Sequence, residues 1–251
     1  MPRSFDLSDA ALDIVWEKLG LGFPPYPLEI PRLSRTRDER AAIATAVFQD
    51  LQSRGLARGD RPEPELADTL TLVAGPQLAV TAFGTLDYGH KLFARLARTS
   101  ETAVLAVKHA NGARFTHVRP ASALATVVDL LPDERPGAAR SVTLAQEPAG
   151  PVHGDRVHPS WMAENRPSGT RSEDLRIART MFQYPMRRSG MFGVTTRDRM
   201  GRENRLTDTG WLDTDGRYLM HTRRGTDGRN WITYSPGDKF LFVRHLATLI
   251  G

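Results

Sequence analysis

The sequence predicts an α+β protein with a central, largely antiparallel β-sheet and two pseudo-symmetric halves. Apolar residues recur at helical spacing in the first third of the chain and alternate at strand spacing from Gln77 onward. Asn111-Gly112, a residue pair suited to a type I′ hairpin turn, separates two strand-like segments. The same order of hairpin, aromatic residue, proline and helix returns 116 residues later at Asp227-Gly228.

Three helices are predicted within residues 1–76. Ser8 can cap the first, residues 36–39 form a capping box for the second, and Pro64 opens the third. A glycine follows each helix as its stop, at Gly20, Gly55 and Gly75. The apolar residues at helical spacing are Ala11, Leu12, Val15, Trp16 and Leu19, then Ile43, Val47, Phe48 and Leu51, then Leu66, Leu70 and Val73.

The strands of the first half follow these helices. Residues 24–27, with three prolines, exclude a helix, and residues 28–30 after them predict a short strand. From Gln77 the predicted strands cover residues 78–82, 92–96, 104–107 and 115–118. Pro120 then opens a helix that reaches Leu131 and ends at Pro132.

The second half repeats this pattern. Trp231 takes the place of Phe115, and Pro236 takes the place of Pro120. The insert between the halves has a predicted strand at 141–144 and a capping box at 170–173, which opens a helix ending before Pro185. We expect one domain, residues 1–251, with a helical part at 1–76, repeats at about 77–131 and 190–250, and a linker and helical insert at 132–189.

The composition indicates a cytoplasmic protein without covalent or metal crosslinks. The chain has no cysteine, which excludes disulfides and cysteine-ligated zinc. The first residues lack the basic and apolar regions of a signal peptide. The sequence also has no run of 18 apolar residues, which a membrane span would need. We therefore expect no membrane insertion.

The charge balance leaves a nucleic-acid-binding regulator as the alternative function. Lysine and arginine number 34 against 29 acidic residues, for a net charge of +5. The basic residues are interleaved with acids, as in Arg197-Asp198-Arg199, so no continuous phosphate track is indicated. We therefore expect no nucleic-acid partner, and homodimer formation stays open.

Candidate catalytic and metal-ligating residues are few. His153 and His158 flank Asp155, but their spacing in a Gly/Pro-rich loop does not match a zinc motif. Asp213 and Asp215 resemble a paired-carboxylate site, but such a pair in Asp-Thr-Asp-Gly more often marks a turn in which side chains bond their own backbone. A hydrolase would need a polar cleft built from His109, His117, Asp213 or His221. We predict no catalytic, metal or cofactor site and no enzyme activity.

Methionine is concentrated in the second half of the chain. Five of the seven methionines, Met162, Met181, Met186, Met191 and Met200, share residues 161–200 with Trp161, Phe182, Tyr184 and Phe192. Flexible methionine side chains recur on surfaces that accept varied apolar partners. This clustering predicts a partner groove.

The chain resembles the EspG family of type VII secretion chaperones over nearly its whole length. In the second half the resemblance lies in Phe192-Gly193-Val194, residues 197–202, Trp211-Leu212-Asp213-Thr214, Gly216-Arg217-Tyr218-Leu219 and Trp231-Ile232-Thr233. In the first half it lies in residues 11–16, 25–28, 104–107 and 140–142. The resemblance implies two helical bundles flanking the sheet and a cytosolic protein that holds PE/PPE-type heterodimers before secretion.

The resemblance also implies where the partner binds. In the family, binding falls on a loop between two early strands, here residues 84–90, and on the second helical bundle. Together with the methionine cluster, this gives the predicted partner-binding residues Leu86, Asp87, Tyr88, Trp161, Met162, Met181, Phe182, Tyr184 and Met186. The binding chemistry would be a helical tip docked into an apolar groove.

Overall fold

The computed structural model describes residues 4–34, 36–146, 172–198, 200–226 and 228–251. Its helices within these ranges are α1 (Asp9–Lys18), α2 (Arg37–Ser53), α3 (Pro64–Ala74), α4 (Ala123–Val128), α5 (Ser172–Phe182) and α6 (Lys239–Ile250). Its strands are β1 (Ser4–Ser8), β2 (Ala57–Arg58), β3 (Arg61–Pro62), β4 (Leu78–Thr85), β5 (Lys91–Arg98), β6 (Ala103–His109), β7 (Gly112–Val118), β8 (Val142–Gln146), β9 (Arg188–Arg197), β10 (Glu203–Arg205), β11 (Thr209–Asp213), β12 (Arg217–Arg224) and β13 (Asn230–Pro236).

One large antiparallel sheet organises the described residues and confirms the α+β class. Its strand order is β1-β7-β6-β5-β4-β9-β11-β12-β13-β8, and β10 also pairs with β9. At the centre, β4 and β9 pair over eight residues, from Leu78 opposite Thr196 to Thr85 opposite Ser189. The short strands β2 and β3 form a separate hairpin.

The N-terminal helices begin where their capping residues predict. The Ser8 hydroxyl accepts a hydrogen bond from the backbone N–H of Ala11, and Thr36 and Glu39 form a capping box. Pro64 occupies the first turn of α3. The short strand predicted at residues 28–30 is wrong, because this segment is irregular and buries Leu28 through a turn that bonds its N–H to the Pro25 carbonyl.

The first hairpin turn lies one residue earlier than the sequence predicts. His109 pairs with Gly112, so Ala110 and Asn111 form the turn, and Gly112 is the first residue of β7. Gly112 has a φ of +158°, and a Cβ there would lie 2.0 Å from the Leu7 carbonyl oxygen. The absence of a side chain at Gly112 therefore allows β1 to approach β7 closely.

Helices cover both faces of the sheet. Alternation along β6 places Leu105 on one face with α4 and α6, and Val104 on the opposite face with α1, α2 and α3. Helix α5 packs on the same face as α1, α2 and α3 but over the other half of the sheet. There Ala178 contacts the core formed by β8, β11, β12 and β13. The helix predicted from Pro120 consists of a 3-10 turn followed by α4, and it ends at Val128 rather than Leu131.

A tryptophan lies over paired glycines at the centre of the sheet. Gly84 of β4 pairs with Gly190 of β9, and Gly190 also pairs with Trp211 of β11. A Cβ on Gly190 would lie 2.7 Å from the Trp211 ring and 2.3 Å from the Phe83 carbonyl oxygen. The two glycines therefore make the space that the buried indole fills.

Gly190→Ala should destabilise the fold by about 1–3 kcal/mol, because neither the backbone nor the indole can move away without strain. Gly193→Ala in the same strand is the matched control. Its Cβ would meet the flexible end of Asp208 at 3.2 Å, so we expect a change of no more than about 0.5 kcal/mol. Urea denaturation of both variants checks this, and equal losses of stability would contradict the packing described here.

Candidate partner-binding site

Two of the predicted binding segments meet at one end of the sheet, here called the loop end. The pairing of Thr85 with Ser189 places the β4–β5 loop beside the chain that leads from α5 into β9. Asp213 at the end of β11 pairs with Arg188 at the start of β9, so β11 finishes at the same end of the sheet. The loop end therefore collects residues that are distant in sequence.

The β4–β5 loop presents an aromatic side chain to solvent. Tyr88 has a φ of 55° and is 99% exposed. The Leu86 N–H donates to the His90 carbonyl at 2.7 Å, and the His90 N–H donates to the Asp87 carbonyl at 3.1 Å. Leu86 itself is half-buried against the core beneath α4 and α6. The loop is thus closed at its base, anchored by Leu86, and tipped by Tyr88.

The end of α5 and the segment after it add further exposed apolar side chains. Phe182 is 48% exposed and stands edge-to-face on Tyr234, with ring centroids 5.5 Å apart. Tyr184 and Met186 are about half exposed. Met181, by contrast, is 1% exposed and packs in the core under α5. Its predicted role as a surface contact is therefore corrected to core packing.

The remaining predicted contact residues, Trp161 and Met162, lie outside the described residues, as do His153, Asp155 and His158. Of the predicted site residues, Asp87, Tyr88, Phe182, Tyr184 and Met186 thus have a described surface position, and Leu86 is half-buried. Exposed Met200 lies in the turn between β9 and β10, at the opposite end of β9 from Met186. The methionines that the structure describes therefore do not form one continuous surface.

A charged network, missed by sequence reasoning, lies beneath the loop end. Asp213 and Arg217 are both 0% exposed and form a bidentate ion pair with two contacts of 2.8 Å. Arg188 joins them through a 3.2 Å contact to Asp213, and it also contacts Asp87 and Glu134. Asp213 is therefore a buried charge in a strand, and the predicted turn role is wrong for it.

The neighbouring Asp215 is also a structural group. Its carboxylate accepts hydrogen bonds from the Tyr218 hydroxyl at 3.0 Å and the Ala138 N–H at 3.1 Å. Burial alone would raise the pKa of Asp215, but these bonds and one from Thr214 together lower it. Burial, helped by the bond to Asp215, raises the pKa of Tyr218 to about 12. Both side chains therefore fix the chain between α4 and β8 against β12.

The four residues considered for a hydrolase have separate partners. His109 lies 3.3 Å from Asp6, and His117 lies 2.9 Å from the Thr69 hydroxyl. His221 packs against His245, with ring centroids 5.3 Å apart. Asp213 pairs with Arg217, so these residues do not build one cleft. Within the described ranges, no group of three or more His, Asp or Glu residues could hold a metal ion.

Many surface arginines are neutralised locally. Arg202 pairs with Asp198 at 2.9 Å, and Arg205 pairs with Asp208 at 2.7 Å. Such pairs leave fewer arginines free for phosphate groups. In the part of the chain that the structure describes, no helix is both long and apolar enough to cross a membrane.

Comparisons with known proteins agree with this architecture. A model of the EspG family matches residues 8–248. The fold is similar to that of the Mycobacterium tuberculosis type VII secretion system chaperone EspG5, solved in complex with a PE25–PPE41 dimer. The TM-score is 0.68 at 13% sequence identity, covering 99% of this chain and 96% of the other. No curated protein matched the sequence.

The His221–His245 contact predicts a pH dependence of stability. Burial lowers the pKa of both imidazoles, with Arg223 adding to the effect on His221 and His221 to that on His245. Because the folded pKa lies below the unfolded value of 6.5, stability from neutral imidazoles is present above pH 6.5 and is lost as pH falls through the folded pKa.

We expect the free energy of unfolding to decrease between about pH 7 and pH 5, and to decrease less in His245→Gln. Urea titrations at several pH values measure the slope. An identical slope in the wild type and the variant would contradict this assignment.

Proposed function

Because the chain belongs to the EspG family, we propose that it is a cytoplasmic chaperone of type VII secretion that binds PE/PPE-type helical-hairpin cargo. The observation that carries the proposal is that two segments reaching the loop end both expose large apolar side chains, Tyr88 in the β4–β5 loop and Phe182, Tyr184 and Met186 at and after the end of α5. Large apolar side chains exposed together on a folded protein mark a docking surface. A helical tip that is itself apolar fits such a surface.

The character of this surface predicts the character of the complex. Tyrosine, phenylalanine and methionine are enriched at interface centres because each buries a large area on association. Asp87, the charged residue next to Tyr88 in the loop, is paired with Arg188 rather than left for a partner. We therefore propose an apolar contact that resists high salt, unlike a nucleic-acid complex.

We also propose that the chain is one domain, residues 1–251, with two halves related by an approximate twofold axis between β4 and β9. In support, β4-β5-β6-β7 is followed by α4 on one side of the centre, and β9-β11-β12-β13 is followed by α6 on the other. The repeats would span about 77–131 and 190–250, with the helical part at 1–76 and the insert at 132–189 forming the two flanking bundles. Such an axis exchanges the ends of the sheet, so the β9–β10 turn would be the counterpart of the β4–β5 loop.

This relationship supplies a matched control for a test of cargo binding. Tyr88→Asp and Phe182→Asp each place a charge that an apolar contact cannot bury unpaired, so each should weaken cargo binding by about 30-fold or more. Met200→Asp makes a similar change at the other end of the sheet and should leave binding unaltered. Leu86→Asp is unsuitable, because Leu86 is half-buried in the core.

The measurement is co-purification of each tagged variant with helical-hairpin secretion substrates encoded beside its gene, with circular dichroism to verify folding. Loss of binding in the two loop-end variants alone supports the proposal. Undiminished binding in both would remove the site from the loop end. Wild-type protein that binds none of these substrates, but binds nucleic acid in a salt-sensitive way, would favour the regulator instead.

A further inference from the structure

The contacts of Arg188 connect four separate parts of the chain. Arg188 begins β9, and its side chain is 10% exposed. Its Nε donates to Asp87 of the β4–β5 loop at 2.7 Å. Its Nη1 lies 3.2 Å from Asp213 at the end of β11 and 3.4 Å from Glu134, which follows α4. One guanidinium therefore joins the exposed loop to the buried centre of the loop end.

The acidic partners of Arg188 differ in which ion pairs they would retain if Arg188 were replaced. Asp213 would retain its bidentate contact with Arg217, and Glu134 would retain Arg187 at 2.8 Å. Among the described residues, Asp87 forms its side-chain ion pair with Arg188 alone. The hydrogen bond to Asp87 is also the largest influence that raises the pKa of Arg188. Loss of the guanidinium would thus free the loop while leaving the buried pair intact.

The loop has little else to hold it. Two backbone hydrogen bonds close it, a hydrogen bond from Lys91 Nζ to the Thr85 hydroxyl at 2.8 Å spans its base, and Leu86 anchors one side. Tyr88 extends into solvent from a left-handed backbone conformation, which a tyrosine adopts only when its surroundings impose it. A loop that is already ordered loses less conformational entropy when it binds. Fixing Asp87 therefore bears directly on how Tyr88 is presented.

We propose that Arg188 is a positioning residue for cargo binding, which holds the β4–β5 loop in its binding shape through Asp87 and ties it to the buried Asp213. This inference rests on the proposed function. The role needs arginine, because a planar fork can reach separate carboxylates at once, whereas the ammonium group of lysine is a single point charge. Arg188→Lys should therefore keep the charge near the buried Asp213 but lose the Nε hydrogen bond to Asp87.

Hydrogen exchange of the free protein tests the positioning without cargo. The amides of Leu86 and His90 report the two bonds that close the loop. We expect their exchange to be about tenfold faster in Arg188→Lys and in Asp87→Asn, since the first loses the Nε donor to Asp87 and the second loses the negative charge of the acceptor. Arg187→Ala is the matched control, because it removes a neighbouring arginine that contacts Glu134 but not Asp87. Equal exchange rates in all variants would overturn the inference.

Cargo affinity, measured with a helical-hairpin substrate that binds the wild type, distinguishes positioning from general stability. Arg188→Lys and Asp87→Asn should each weaken affinity by about tenfold, and the double variant should be no weaker than either single one. Additive losses, or unchanged affinity despite a faster-exchanging loop, would refute the positioning role.

Should Arg188→Lys fail to fold, Asp87→Asn still tests both readouts, since the Asp87 side chain is 43% exposed and its replacement leaves the buried pair untouched. A wild type that binds no such substrate refutes the proposed function, while the exchange experiment still decides whether Arg188 holds the loop.

Discussion

The antiparallel pairing of β4 and β9 is the constraint on which the rest of the structure depends. It joins the two halves of the sheet, and at Gly84 and Gly190 it leaves room for the buried indole of Trp211. A side chain at either glycine would collide with the backbone and the indole ring. The two glycines must therefore stay opposite each other, which fixes the register between β4 and β9. The same register places the end of β4 next to the start of β9.

That placement explains why the exposed apolar residues and the buried charges occur together. The β4–β5 loop and the segment after α5 both emerge at the loop end, above the ion pair of Asp213 and Arg217. A buried pair of this kind contributes little net stability, but it demands a defined geometry from the strands that carry it. Arg188 extends that geometry to the loop through Asp87.

Much of the fold could be predicted from the sequence, because helix caps and strand alternation are local signals. The capping box of Thr36 and Glu39, the proline at α3 and the main strands are found where these signals place them, whereas the capping box predicted at 170–173 lies partly outside the described residues. The failures concern long-range contacts. Gly112 permits the close approach of β1 and is not part of the turn, and Met181 is buried in the core. Asp213 meets its partners only once β9, β11 and β12 are in register. Within the site, Tyr88, Phe182, Tyr184 and Met186 are exposed as an apolar surface requires, but Arg188 has no local sequence signal.

The most direct measurement is hydrogen exchange of the chain with and without a helical-hairpin secretion substrate, followed segment by segment. We predict protection of residues 84–91 and 182–188 in the complex, with no change at residues 200–206, the opposite end of the sheet. Protection of the opposite end alone, or an unprotected β4–β5 loop in a stable complex, would contradict the placement of the binding surface at the loop end.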